Sequence, residues 1–315
     1  MHPAYSVILF TAASGAGYGL VVWLAVLGML GLLPTTGGLG FAGLVLALAL
    51  ISTGLLSSTF HLGHPERAWR AVTQWRSSWL SREGVLALVT YIPIGILGIG
   101  WVLFESVTGL FAVAAIVAAL CSLATVWCTG MIYASLKTIR AWNHPLVAPL
   151  YVILGLATAG VLFGSLQRSF GTFNSLADWL TIALLAIGLV MKLAYWRAVD
   201  GGKRKYNIGA ATGLGHLGKV RTLEPPHTQP NYVMREMGYR VGRKHALKLR
   251  RLTIVLAFVI PIIALAASNA LGSSAGLISS FIATLSVATG IFFERWLFFA
   301  EAEHVAMLYY GLDEA

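Results

Sequence analysis

Long apolar runs alternate along this chain with short polar connections, and eight of the runs are long enough to cross a hydrocarbon core of about 30 Å. They cover Ser6–Gly31, Leu39–His61, Glu83–Leu103, Leu110–Ser135, Leu146–Leu166, Leu176–Tyr195, Leu252–Leu271 and Ala275–Phe299. The pattern predicts an all-α integral membrane protein of eight transmembrane helices, one domain over residues 1–315, with no soluble catalytic domain of its own. In the first helix Gly15 and Gly19 form a small-xxx-small pair, the spacing that lets backbones approach closely where lipid removes the hydrophobic drive between helices. The two long basic connections follow helices 2 and 6. Those positions are equivalent if the chain is two four-helix bundles in parallel, although no clear sequence repeat is visible.

Composition strengthens this reading. Of 315 residues, 57% are hydrophobic and 11% charged, against roughly a quarter charged in a soluble domain. The net charge of +10 does not point to nucleic acid, because the basic residues flank apolar spans, where they set topology. Twenty of the 22 Lys and Arg residues fall on one side: Arg67, Arg70, Arg76 and Arg82 after helix 2, Lys137 and Arg140 after helix 4, thirteen between Arg197 and Arg251, and Arg295. The opposite side has Arg168, and Lys192 lies within helix 6. By the positive-inside rule both termini face the cytoplasm of a bacterial inner membrane. No Lys or Arg precedes the first apolar run, so the basic start of a cleavable signal peptide is missing and the first helix is expected to stay. A soluble partner would dock on the cytoplasmic face. Its landing site would be the connection Arg197–Arg251, which carries EPPHTQP and a predicted helix near Tyr232–Leu249; the same loop can instead lie on anionic membrane lipids.

The chain offers few ligands for a redox centre. GLGHLG at Gly213–Gly218 has the letters of a dinucleotide fingerprint, but no apolar strand precedes it. None of the eight histidines lies mid-span, so haem b is not expected. Cys121 and Cys128 share a helix face with no further cysteine, which leaves no set for an iron–sulfur cluster or zinc and makes both packing residues. Asp and Glu are nearly absent from the spans, which makes an ion or small-molecule transporter the alternative rather than the leading reading.

What remains is FHLGHPERAWRAVTQWRSSWLSREG, Phe60–Gly84. Helix 2 is expected to end at His61, and helix 3 to open with Ser81 as N-cap and Glu83 just inside. Between them Ala68, Val72, Trp75 and Trp79 form an apolar stripe opposite Arg67, Arg70 and Arg76, the pattern of an interfacial helix. His61 and Glu83 then lie at similar depth. Two-electron quinone chemistry moves two protons, so a histidine and a partly desolvated carboxylate could flank the ring. Equally, His61 can satisfy helix-end carbonyls and Glu83 a helix N-terminus. Glu294 and Arg295 either line the site near helix 8 or pair with each other at a helix end, and the pairing is the favoured reading.

The segment HLGHPERAW followed by SWLSREG resembles the DmsC family, the membrane anchor subunits of dimethyl sulfoxide reductase-type molybdoenzymes. The opening HPAYSVILFTAASGAGYGL, the loop ATGLGHLGKVRTLEPPHTQPNYVMREMGYRVGRKHALKLRR and the ending FFERWLFFAEAEHV resemble its SoeC-type branch, the anchors of membrane-bound sulfite-oxidising enzymes. The resemblance implies a non-catalytic subunit that holds an iron–sulfur electron-transfer subunit and a molybdopterin catalytic subunit at the membrane. Molybdenum and iron–sulfur clusters would reside in those partners, not in this chain. It also implies exchange of electrons with ubiquinone or menaquinone at a site matching His61 and Glu83, with Arg67 as a basic residue of the same motif. A purely structural anchor without a quinone site is the other alternative.

Overall fold

A computed structural model describes residues 3–60, 62–202, 206–224, 227–229, 231–237, 241–310 and 312. Eight membrane helices account for most of it: α1 Tyr5–Met29, α2 Gly37–Thr59, α3 Trp79–Phe104, α4 Leu110–Ala134, α5 Val147–Ser169, α6 Ser175–Gly201, α7 His245–Ala270 and α8 Ser274–Ala300. No strand forms among the described residues; an isolated antiparallel bridge joins Ile139 and His304. The eight apolar runs read from the sequence are these helices, with ends displaced by a few residues.

α1 and α5 form the centre. In their most apolar stretches 83% and 72% of residues are buried, against 33–39% in the other six helices. The reason is visible in the sequence of their contact. A Cβ placed on Gly19 would stand 2.6 Å from the Gly155 carbonyl oxygen and 2.7 Å from Ala159 Cβ, so the two backbones touch where GxxxG of α1 meets the small residues of α5. Around this pair the chain packs as two sets of four. α1 contacts α2 and α4, α2 contacts α3, and α3 contacts α4; α5 through α8 repeat the same order, and α4–α5 and α8–α1 join the sets. This is the arrangement of two four-helix bundles, reached without a sequence repeat, because in lipid any apolar side chain of suitable shape can fill the outer positions.

α7 carries a π-turn at Val255–Val259, immediately before Pro261. Pro261 has no N–H to return to the preceding turn, and the widened turn accommodates its ring. α8 lies directly against this turn: a Cβ on Gly290 would be 2.3 Å from Ala257 N, and Ser286 Oγ donates to the Leu256 carbonyl at 2.7 Å.

The long connections share one face with the termini. After α2 the chain forms a short 3-10 helix, Pro65–Val72, followed by turns, rather than the longer amphipathic helix expected, and Trp79 belongs to α3. Its half-buried side chains are Ala68, Ala71 and Val72, while Trp69 and Trp75 are exposed. Of the predicted helix near Tyr232–Leu249, the described residues Tyr232–Met237 are helical, residues 238–240 lie outside the described residues, and the helix from Val241 runs into α7. A 3-10 turn at Val305–Tyr310 returns across this face. Val305 N donates to Thr138 O at 3.1 Å, and Tyr309 Oη donates to Ala211 O at 2.8 Å.

Candidate functional site

α3 begins one turn earlier than the sequence suggested. Its N-cap is Ser78, whose hydroxyl accepts from Ser81 N at 3.4 Å. Ser81 is therefore free to donate its own hydroxyl to Ala71 O, which ties the 3-10 segment to the helix head. Arg82 completes the tie: its Nε and Nη2 donate to Trp75 O at 3.0 Å and Arg76 O at 2.7 Å, and its guanidinium lies 4.3 Å from the Trp79 ring. The helix register set by this anchorage turns the next residue, Glu83, into the bundle. Glu83 is the fifth residue of α3 rather than its first, and it is 4% exposed.

Its partner is Thr129 of α4, whose hydroxyl contacts Glu83 Oε1 and also lies 3.1 Å from Thr125 O. A hydroxyl has one hydrogen and cannot serve both acceptors at once. Both contacts are satisfied together when Glu83 carries the proton and donates it to Thr129, and Thr129 donates to Thr125. When Glu83 is ionised, Thr129 turns its hydrogen to the carboxylate. The pair thus has a hydrogen-bonded arrangement for either protonation state.

The other residues proposed from the sequence divide. His61 lies outside the described residues, and α2 ends at Thr59, before it. Arg67 is exposed on the 3-10 segment, with Nε 3.7 Å from Glu66 Oε1. Glu294 and Arg295 do pair, at 3.3 Å, but not as an isolated couple at a helix end: Glu294 Oε1 is 2.5 Å from Lys192 Nζ of α6. These three side chains are 1–4% exposed, and the Arg295 guanidinium lies 3.7 Å from the Tyr151 ring of α5. Charge placed at this depth in a membrane protein is costly unless paired. Lys192 was legible as a lone charge in an apolar run; that it meets Glu294 was not.

Thr129 from the first group and Arg295 from the second border one small cavity between α1, α4, α5 and α8. It is lined by Thr11, Ser14, Thr129, Tyr151, Thr158 and Arg295 among others, and its volume is about 10 Å³, room for roughly one water. A ring-sized ligand cannot reach Glu83 from this inner side.

At the far ends of α5 and α6, Arg168 and Asp178 form a second buried pair, Nη2 to Oδ2 2.5 Å, which closes the bundle opposite the basic face. Outside the spans burial lowers His144 and His304 below the usual histidine range, and each ring accepts a backbone N–H, from Leu146 at 3.2 Å and Ala306 at 3.0 Å. Burial raises Glu301 in spite of the Arg250 guanidinium beside it, Nε to Oε1 2.8 Å.

Comparison with known proteins bears on the whole chain. It is 35% identical, over 98% of its own length and 99% of the relative's, to a subunit of the sulfite dehydrogenase of Allochromatium vinosum. The family model described as "DMSO reductase anchor subunit (DmsC)" matches residues 1–312. With eight membrane helices and a match from end to end, this chain belongs to the DmsC family of membrane anchor subunits.

Proposed function

We propose that the chain anchors an iron–sulfur subunit and a molybdopterin catalytic subunit on the cytoplasmic face of the inner membrane, and exchanges electrons between them and a quinone held at Glu83. The observation that carries this reading is the placement of Glu83: a buried carboxyl, one turn inside a membrane helix, on the basic face, with a hydroxyl partner suited to both of its protonation states. A quinone ring needs a proton donor and acceptor at the depth where its tail remains in hydrocarbon, and two-electron reduction consumes two protons. Glu83 hands its proton to the ring oxygen. His61, from the end of the preceding helix, is the partner at the other carbonyl in this reading, and Arg67 is a docking charge for the soluble subunits. The excess of Lys and Arg on the basic face supports a cytoplasmic orientation. Similarity to a protein named for sulfite dehydrogenase supports sulfite as the electron source, with electrons flowing towards the quinone.

The test is made on the complex in its own membranes. Glu83→Gln and His61→Ala are expected to lower quinone-linked turnover by about 100-fold or more, while dye-linked turnover and membrane attachment persist. An unchanged quinone-linked rate would sink the proposal. Release of the soluble subunits into the wash would assign these residues to assembly instead.

A further inference from the structure

On the basic face the segment Val305–Tyr310 and the loop after α6 fold onto each other. Val305 N donates to Thr138 O at 3.1 Å, beside the bridge between Ile139 and His304, so this segment is strapped to the α4–α5 connection. That connection is itself tied across helix ends: Arg140 Nη1 donates to Gly202 O at 3.0 Å, Trp142 Nε1 to Phe298 O at 2.9 Å, and Tyr195 Oη to Ala141 O at 2.9 Å. Three pieces of the loop fold onto the strap. Tyr309 Oη donates to Ala211 O of the short helix Ile208–Thr212, the His227 ring stacks on Tyr310 at 5.7 Å, and the helix Tyr232–Met237 packs against the same segment. The described part of the loop thus forms a platform laid over the ends of α4, α5, α6 and α8.

Between strap and loop the platform holds a socket. Tyr206, Ala210 and Ala211 form one wall and Val305, Leu308 and Tyr309 the other, around a volume of about 190 Å³. This lies below the roughly 300–1,000 Å³ of a small-molecule site, so the socket suits one large side chain rather than a quinone. Apolar surface continues beyond it: Leu214, Leu217, Leu223 and Tyr232 are 47–94% exposed, although none belongs to a membrane span. Large apolar side chains grouped in this way mark a surface that another body covers. An anionic leaflet lies beside the helices, whereas this platform lies across their ends, which favours a protein over lipid. Residues 197–251 carry thirteen Lys and Arg against Asp200, Glu224 and Glu236, so the complementary surface is acidic.

We infer that the socket receives one apolar side chain, aromatic or leucine-sized, projecting from an acidic surface of the soluble subunit that this chain anchors. The inference rests on the anchor reading and names where the grip is. Interfaces draw most of their binding energy from a few anchor side chains seated in pockets, with a rim that excludes water around them. Because Val305, Leu308 and Tyr309 supply one wall, the C-terminal strap belongs to the interface together with the loop.

The experiment uses the intact complex in its own membranes. Ala210 is exposed and lines the socket, so Ala210→Phe fills it from within and removes no buried group. Retention of the soluble subunits through a wash is expected to fall about tenfold or more, while the variant chain keeps its level in the membrane. Separately, a photo-crosslinking phenylalanine analogue in place of the exposed Leu214 is expected to label a soluble subunit. Unchanged retention in Ala210→Phe, or a label found only on phospholipid, overturns the inference. If Ala210→Phe fails to accumulate, the crosslink from position 214 decides alone. Lys219→Glu combined with Arg221→Glu should slow rebinding of the washed subunits at low salt; unchanged or faster rebinding refutes the acidic surface. The two readings separate cleanly: a wild-type chain recovered with its soluble subunits beside an unaffected Ala210→Phe complex sinks the socket alone, whereas a wild-type chain recovered without any soluble subunit sinks the anchor reading itself.

Discussion

Replacing members of the buried ion cluster one at a time should give a specific order of damage. Glu294→Gln leaves Lys192 and Arg295, both nearly sealed from solvent, as two neighbouring cations with no anion. Breaking a buried pair in this way costs about 3–5 kcal/mol. Lys192→Met leaves Glu294 with Arg295 at 3.3 Å, so the cluster becomes neutral and loses one charged hydrogen bond, about 1.5–3 kcal/mol. The double variant returns the cluster to a single positive charge beside Tyr151 and should be no less stable than Glu294→Gln alone. The coupling between the two positions is therefore expected to be at least about 1.5 kcal/mol, with the lower ends of these ranges favoured because partly unfolded chains in lipid also find polar partners. Denaturant titration of the detergent-solubilised chain, run as a double-mutant cycle, measures all four states. If Lys192→Met proved worse than Glu294→Gln, or the two losses simply added, the charge argument would be wrong.

Two further outcomes follow from the packing and the basic face. Gly19→Ala should lower stability by about 1–3 kcal/mol through overpacking, since its new Cβ meets backbone of α5 at 2.6 Å, whereas Gly15→Ala should be tolerated because its nearest neighbour is 3.9 Å away; equal thermal midpoints for the two variants would contradict the crossing described. His144 and His304 are held below the usual histidine range by burial, so the unfolded chain takes up protons first as pH falls. Their contribution is complete above the ordinary histidine range and is lost as pH drops through it, and His304→Asn, which keeps an acceptor for Ala306 N, should flatten part of the fall in thermal stability between about pH 7.5 and 5; an unaltered slope would show that the strap over this face does not depend on the neutral ring.

The eight helices, their approximate ends and the concentration of charge on one face were determined by the sequence alone. The cause is the hydrocarbon core, which demands about 20 apolar residues per crossing and so writes its thickness into the composition. The close approach at Gly19 was legible for the same local reason. Glu83 could be singled out because a carboxylate at the start of an apolar run is rare, and its family motif marked it further. Its place in the helix could not be read: the N-cap is Ser78 rather than Ser81, and the Ser81 hydroxyl is bound instead to the Ala71 carbonyl, a partner ten residues away that becomes available only once the 3-10 segment folds back. Tertiary structure alone decided that Thr129, an ordinary hydroxyl in α4, is the group facing Glu83, and that Lys192, Glu294 and Arg295 converge from two helices about a hundred residues apart in the chain. Periodicity reports which side of a helix avoids lipid. Which buried polar group meets which depends on the pairing and rotation of helices, and these are settled by the packing of small residues at α1 and α5 rather than by the polar residues themselves.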